Sequence, residues 1–228
     1  MPDDTLARAA AQPGDRGDAA GDDPGMAHGR PGGPLPGLPQ GRVRPVLIHP
    51  DPILRQSCRP AAGMAPPALR TLVADLFATV YAAQGRGLAA PQVGETRRVF
   101  VMDAGWKTGA SCPRALIDPV LLWQSPEQAC DVERCLSIPD RPVSVTRPLA
   151  IRVGHVDLDG QPCTADLSGA EARIALHEMD HLDGRLIIDA PGAGQPDGSG
   201  KGGSGKGGSG NGGSGKGAFG GAAPGPMA

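Results

Sequence analysis

His177-Glu178-Met179-Asp180-His181 places two imidazoles and a carboxylate at a spacing that chemistry can use. On a helix, residues four apart share a face, so His177 and His181 can direct ring nitrogens at one metal ion. Glu178 sits beside them, within reach of a water on that ion. Such an assembly makes a nucleophile at neutral pH and hands the water's proton to the carboxylate, the basis of metal-assisted hydrolysis.

Two ligands are too few, because a catalytic site of this kind takes three from the protein and keeps one position for water. In the H-E-x-x-H-x-x-G-x-x-H arrangement the third is a histidine. Here Gly184 fits that pattern, but the last position is Ile187, which weakens the reading as a general metallopeptidase. Cys135, in Glu133-Arg134-Cys135-Leu136-Ser137, is the best candidate for the missing ligand, since a thiolate with two imidazoles is a known catalytic set. The chain has five cysteines, an odd number, and no signal peptide is seen. That argues against a disulfide framework and for a reduced, cytoplasmic setting.

Three stretches, in this order, resemble the peptide deformylase family. Gly85-Arg86-Gly87-Leu88-Ala89-Ala90-Pro91-Gln92 is similar to its G-x-G-L-A-A-x-Q motif, Glu133 to Ser137 to E-G-C-L-S, and Leu176 to Gly184 to Q-H-E-x-D-H-L-x-G. Weaker likeness flanks them in His49-Pro50-Asp51-Pro52-Ile53-Leu54-Arg55 and Leu116-Ile117-Asp118-Pro119, so that the resemblance covers about residues 43–190. It implies a metal-dependent hydrolase that removes the N-formyl group from N-formylmethionyl peptides and releases formate. Cys135, His177 and His181 would hold one divalent metal, with Fe²⁺ expected in the cell and Zn²⁺ or another divalent ion also matching the ligands. Glu178 would be the acid–base. The Gln92 amide and the Leu136 backbone N–H would face the developing oxyanion, and Gly87, Arg86 and Arg134 would border the peptide. Three residues depart from the family pattern. Arg86 replaces an aliphatic residue, Arg134 a glycine and Leu176 a glutamine. The alternative is a catalytically impaired relative that keeps its metal and binds formylated or otherwise capped peptides. Nascent chains at the ribosome are the implied partners. One type within the family docks there through a C-terminal helix, which the glycine-rich residues after Asp189 are unsuited to form.

The elements that must position these residues are legible in part. Ser168 with Glu171 reads as a capping box opening the helix of the two histidines, and Gly184 as its left-handed stop. Pro66-Pro67 opens another helix, with Leu69, Leu72, Val73, Leu76, Val80 and Tyr81 as its buried stripe and Gly85 as a positive-φ stop. Residues 98–102 and 149–153 read as strands, residues 157–160 as a turn before a further strand, and Cys135 falls on or beside a strand. Strands between a first and a last helix argue an α+β class, here a single peptide-deformylase-like domain whose metal-binding helix packs on short antiparallel strands. That domain is expected over 43–190. Residues 1–42 form an arm and residues 191–228 a Gly/Ser-rich tail, both expected to be disordered: residues 1–44 hold 9 and residues 191–228 hold 17 of the 36 glycines, compositions that bury little. A net charge of −2 gives no general pull toward nucleic acid or anionic membrane, and no apolar run reaches the roughly 20 residues of a spanning helix.

Overall fold

Helix α1, Pro66–Ala82, begins with its two prolines in the first helical positions, where a missing N–H leaves no bond unmade. Of the expected stripe, Leu72, Val73, Leu76 and Val80 are buried, joined by Phe77, while Leu69 and Tyr81 are only partly buried. The stop differs from expectation. Gln84, not Gly85, takes the left-handed conformation, at φ 55. Gly85 is crowded instead: a Cβ there would meet Val80 Cγ2 at 2.8 Å and Leu136 Cδ1 at 2.9 Å, so one of them would have to shift.

The computed structural model describes residues 35–191; the expectations for the arm before residue 35 and for the tail after residue 191 lie outside the described residues. After α1 come β1 (Gly87–Ala89), a 3₁₀ turn (Ala90–Val93), β2 (Val99–Met102), β3 (Arg114–Gln124), β4 (Gln128–Cys135), β5 (Ile138–Pro148), β6 (Ala150–Val156), β7 (Pro162–Ser168) and helix α2 (Gly169–Leu182). The class is α+β, as expected. Strands β1-β2-β3-β6-β7 form one sheet and β4-β5 a separate hairpin. Each pairing between these strands is antiparallel, with register partners such as Leu88↔Val101, Phe100↔Leu116 and Val153↔Ala165.

The large sheet has a helix on each face. Phe100 and Met102 pack with Leu116, Ile151 and Leu167 against Ala172, Ala175, Met179 and Leu182 of α2. Their neighbours Val99 and Val101 pack with Leu88 and Ile117 against Leu76, Phe77 and Val80 of α1. Successive side chains of a strand point to opposite faces, so Val-Phe-Val-Met is apolar throughout because both of its faces are covered. Each such large side chain removed from water stabilises by about 1.5–3 kcal/mol. A third cluster, with Leu54, Cys135, Ile138, Val143, Val145, Leu186 and Ile187, lies under the hairpin.

Two details of α2 bear on the site. Ser168 stands at its N-cap, but its side chain makes no capping bond; instead Gly169, at φ 54, swings the chain from β7 into the helix. Gly184 is left-handed at φ 72, as expected, and its N–H reaches His181 O at 3.2 Å. The hairpin β4–β5 was not anticipated. Its tip is Leu136-Ser137, without the Asn-Gly or Asp-Gly that usually signals a two-residue turn, and tertiary bonds hold it: His49 N–H donates to Ser137 O at 2.9 Å and Gln92 Nε2 to Ser137 Oγ at 3.1 Å.

Candidate active site

The two turns of α2 that carry His177, Glu178 and His181 face the end of β4, where Cys135 emerges from the hairpin. Cys135 Sγ lies 3.2 Å from His181 Nε2. The ligand atoms of Cys135, His177 and His181 all fall within 4.8 Å of one another, and among the described residues this is the cluster able to hold a metal ion. The imidazole rings sit edge to face, 5.1 Å between centroids. All three side chains are buried. A thiolate and two imidazoles at this separation suit a divalent ion by donor type. Glu178 adds to the fit: it too is buried, and its Oε2 has no hydrogen-bond partner, a costly state for a carboxylate unless another polar group stands beside it.

Electrostatics follow from that burial. Burial first, then the nearby Glu133 charge, raises the Glu178 carboxyl to about 7, although His177 and Arg147 oppose the rise. Burial, with His177 beside it, pushes His181 down to about 3. Burial also disfavours charge on His177, but its bonds to Cys135 and Glu133 outweigh that and draw it up to about 10. These values describe protons competing for the same lone pairs that a metal would take.

Glu133 is the residue that sequence reasoning missed. It is buried, and four N–H groups converge on its carboxylate. Arg147 donates from Nε at 2.8 Å and from Nη2 at 2.9 Å. Arg173 donates from Nη1 at 2.9 Å, and His177 from Nδ1 at 2.9 Å. With Nδ1–H committed to Glu133, His177 turns its Nε2 lone pair toward Cys135 and His181, the usual way an outer carboxylate orients a ligating imidazole. Burial raises the Glu133 carboxyl, yet Arg147 and His177 together bring it down to about 2. Arg147 also donates to Asp180 Oδ2 at 2.7 Å, tying β5 to α2 one residue before His181. Glu133 stands in the Cys135 motif, two positions before the thiol, where alternation along a strand turns both residues to one face. That spacing was the available signal; Arg147 and Arg173 offered none.

Gln92 closes the site from the 3₁₀ turn. It is 2% exposed, so its amide lies inside the site and not on the surface. Its Oε1 accepts from Ala89 N at 2.9 Å, which leaves Nε2 to reach Ser137 Oγ at 3.1 Å and to approach Cys135 Sγ at 3.8 Å. Gly87 runs alongside α2, where a Cβ would collide with Glu178 Oε1 and come within 2.7 Å of Ile174 Cγ2. Leu136 sits at the hairpin tip against Gly85. A cleft of about 740 Å³ opens over these groups, and Gly87, Arg86, Arg134, Gln92, Leu136, His177 and Glu178 all line it. Leu176 packs against the core beneath α2 instead, and Ile187 is buried under the hairpin.

The polypeptide deformylase family model matches residues 43–193 of this chain. The chain belongs to the polypeptide deformylase family. A peptide deformylase of Brucella suis is 40% identical over 147 residues, 64% of this chain and 83% of that one; one of Mesorhizobium japonicum is 41% identical over the same shares. Among solved structures, the Thermotoga maritima peptide deformylase superposes with a TM-score of 0.61 at 36% identity, covering 65% of this chain and 97% of that one. A Met-Ala-Ser-bound class I type b peptide deformylase of Acinetobacter baumannii gives 0.62 at 29% identity, over 66% and 99%. This family member is therefore an enzyme, a metal-dependent hydrolase that takes the formyl group off polypeptides, and nothing in its site favours the impaired alternative. Among the described residues no helix is long and apolar enough to cross a membrane.

Proposed function

We propose that this deformylase acts on N-formylmethionyl peptides, with Cys135, His177 and His181 as ligands to one ferrous ion and Glu178 as the acid–base. The observation that carries the reading is the buried cluster of three ligand atoms within 4.8 Å, with Glu178 one residue from His177 on the same helix. A divalent ion bound there supplies Lewis acidity, drawing the pKa of water from about 16 toward about 7. Glu178 takes a proton from the attacking water and returns it to the amine that leaves with the peptide, a role suited to a carboxyl raised to about 7 by burial. The formyl C–N bond breaks, and the products are formate and a peptide with a free N-terminal amine.

Gln92 is a preset hydrogen-bond donor. Because Ala89 N–H occupies its Oε1, the amide needs no reorientation to present Nε2 to charge developing on the formyl oxygen, and the Leu136 N–H is the proposed second donor. Losing one such donor typically costs about 3–4 kcal/mol of transition-state stabilisation. Glu133 keeps His177 in the tautomer that leaves Nε2 free. Gly87 leaves room for Glu178, and its missing side chain also lets a peptide backbone lie close to the carboxylate. The five cysteines carry no disulfide, consistent with work in the cytoplasm on nascent chains.

The test is formate release from formyl-Met-Ala-Ser, with metal analysis of the same sample, for the wild type and Glu178→Gln. The variant should hold its metal and lose about 10²–10⁴-fold or more in kcat/KM. A variant within about tenfold of wild type is incompatible with that acid–base role.

A further inference from the structure

Among the described residues, two charges on the cleft wall have no partner. Arg86 and Arg134 are exposed and line the cleft, and their guanidinium groups enter no hydrogen bond or ion pair among the described residues. The other charges of that lining are engaged. Arg173 donates to Glu133, to Val145 O and to Ala129 O. Lys107 donates to Gln84 O and lies 5.5 Å from the Trp106 ring centroid. Glu133 and Glu178 are buried. Asp131 is the remaining acid, and its Oδ1 accepts from Val132 N at 2.7 Å.

Both arginines belong to the lining of the cleft that also holds Gln92, Leu136, His177 and Glu178. Arg86 stands between Gly85, where an added Cβ would meet Leu136 Cδ1, and Gly87, where one would meet Glu178 Oε1. Arg134 lies between Glu133 and Cys135 on β4, so its side chain takes the exposed face opposite theirs and meets the cleft at its lining. A peptide lying in that cleft with its formyl end at Glu178 meets two permanent cations in the lining. A guanidinium stays charged and presents a planar fork that matches a carboxylate.

We propose that Arg86 and Arg134 select formylated peptides carrying a carboxylate near the formylated end, supplied by an acidic side chain in the residue after the formylmethionine. The proposal rests on the deformylase reading, since that reading fixes which end of the peptide lies at Glu178. Both guanidiniums are exposed, so each contact is screened: a surface ion pair is worth roughly a twofold to fivefold change in affinity. Two contacts, set against repulsion of a lysine at the same place, give about three- to thirtyfold between an Asp and a Lys peptide. The preference shrinks as salt rises, since exposed charges are screened over about 10 Å at 0.1 M.

The experiment compares formyl-Met-Asp-Ala, formyl-Met-Lys-Ala and formyl-Met-Ala-Ala, all C-terminally amidated, together with the free acid of the last. It reads kcat/KM on the metal-loaded enzyme, and Kd by calorimetry on Glu178→Gln. The variants are Arg86→Ile with Arg134→Gly, and the reversal Arg86→Glu with Arg134→Glu. Support is an Asp-over-Lys ratio that appears in Kd and kcat/KM, falls toward one in the first variant, inverts in the second, and weakens with salt. An Asp-over-Lys ratio near one in the wild type, or one that survives both variants, overturns the proposal. So does a preference confined to the free acid, which would mean that the arginines read a chain end. Because Kd is measured without turnover, it decides the arginine proposal even if no formate is released, and formate release from the Ala peptide decides the deformylase reading separately.

Discussion

Glu133→Gln isolates what the buried carboxylate does for the metal site. The substitution keeps shape and one acceptor oxygen but replaces the other with an NH₂. Four N–H groups now converge on the carboxylate, two at each oxygen: Arg147 Nε and Arg173 Nη1 at Oε1, Arg147 Nη2 and His177 Nδ1 at Oε2. If the NH₂ takes the Oε1 position, two arginine donors face a donor. If it takes the Oε2 position, His177 can accept only by moving its proton to Nε2, which removes the lone pair aimed at Cys135 and His181. Either arrangement also leaves the buried Arg147 with less than a full counter-charge. Breaking a buried pair by altering one partner costs about 3–5 kcal/mol, and the oxygen retained in Gln places the expectation at the low end, about 3 kcal/mol. The outer-sphere effect on metal affinity is about 10–100-fold. Urea unfolding of the metal-free proteins measures the first quantity, and chelator competition on the folded proteins measures the second. A variant that is destabilised yet binds metal within about twofold of wild type would refute the orienting role and leave Glu133 as a structural ion-pair partner only.

Three further outcomes are expected. Gly87→Ala should keep its metal but lose about a hundredfold in kcat/KM, because the new methyl displaces the Glu178 carboxylate and Ile174 and misplacement by about 1 Å costs that much; near-normal kinetics would show that the strand yields. Anaerobically prepared iron enzyme should be more active than the zinc form and lose activity in air, whereas an air-stable zinc form of equal activity would overturn iron as the working metal. Asp189 is held below the usual carboxylate range by its hydrogen bond from Arg55, so its contribution is present above that range and disappears as pH falls through its lowered pKa. Asp189→Asn should therefore cost no more than about 1 kcal/mol at neutral pH, the pair being exposed, and the difference in unfolding free energy from wild type should vanish in acid.

The chemistry was readable in the chain because it rests on local spacing. His177, Glu178 and His181 share a helical face by arithmetic alone, Cys135 is marked by thiol chemistry, and Pro66-Pro67 and Gly184 punctuate the helices by steric rules that act over one or two residues. The family resemblance rested on the same local text. What the tertiary structure decided depends on residues far apart in sequence. Gly85 looked like a helix stop, but Gln84 bears the positive φ and Gly85 answers to Leu136, which arrives from the hairpin. Ser168 looked like a cap, yet the chain enters α2 from β7 through Gly169. The hairpin tip lacks turn residues because His49 and Gln92 hold it from outside. Glu133 shows the difference most clearly. By itself it is one more acid in a strand; it is placed to orient His177 only when folding brings Arg147, Arg173 and His177 to its two oxygens, where low solvent exposure makes each of those bonds matter.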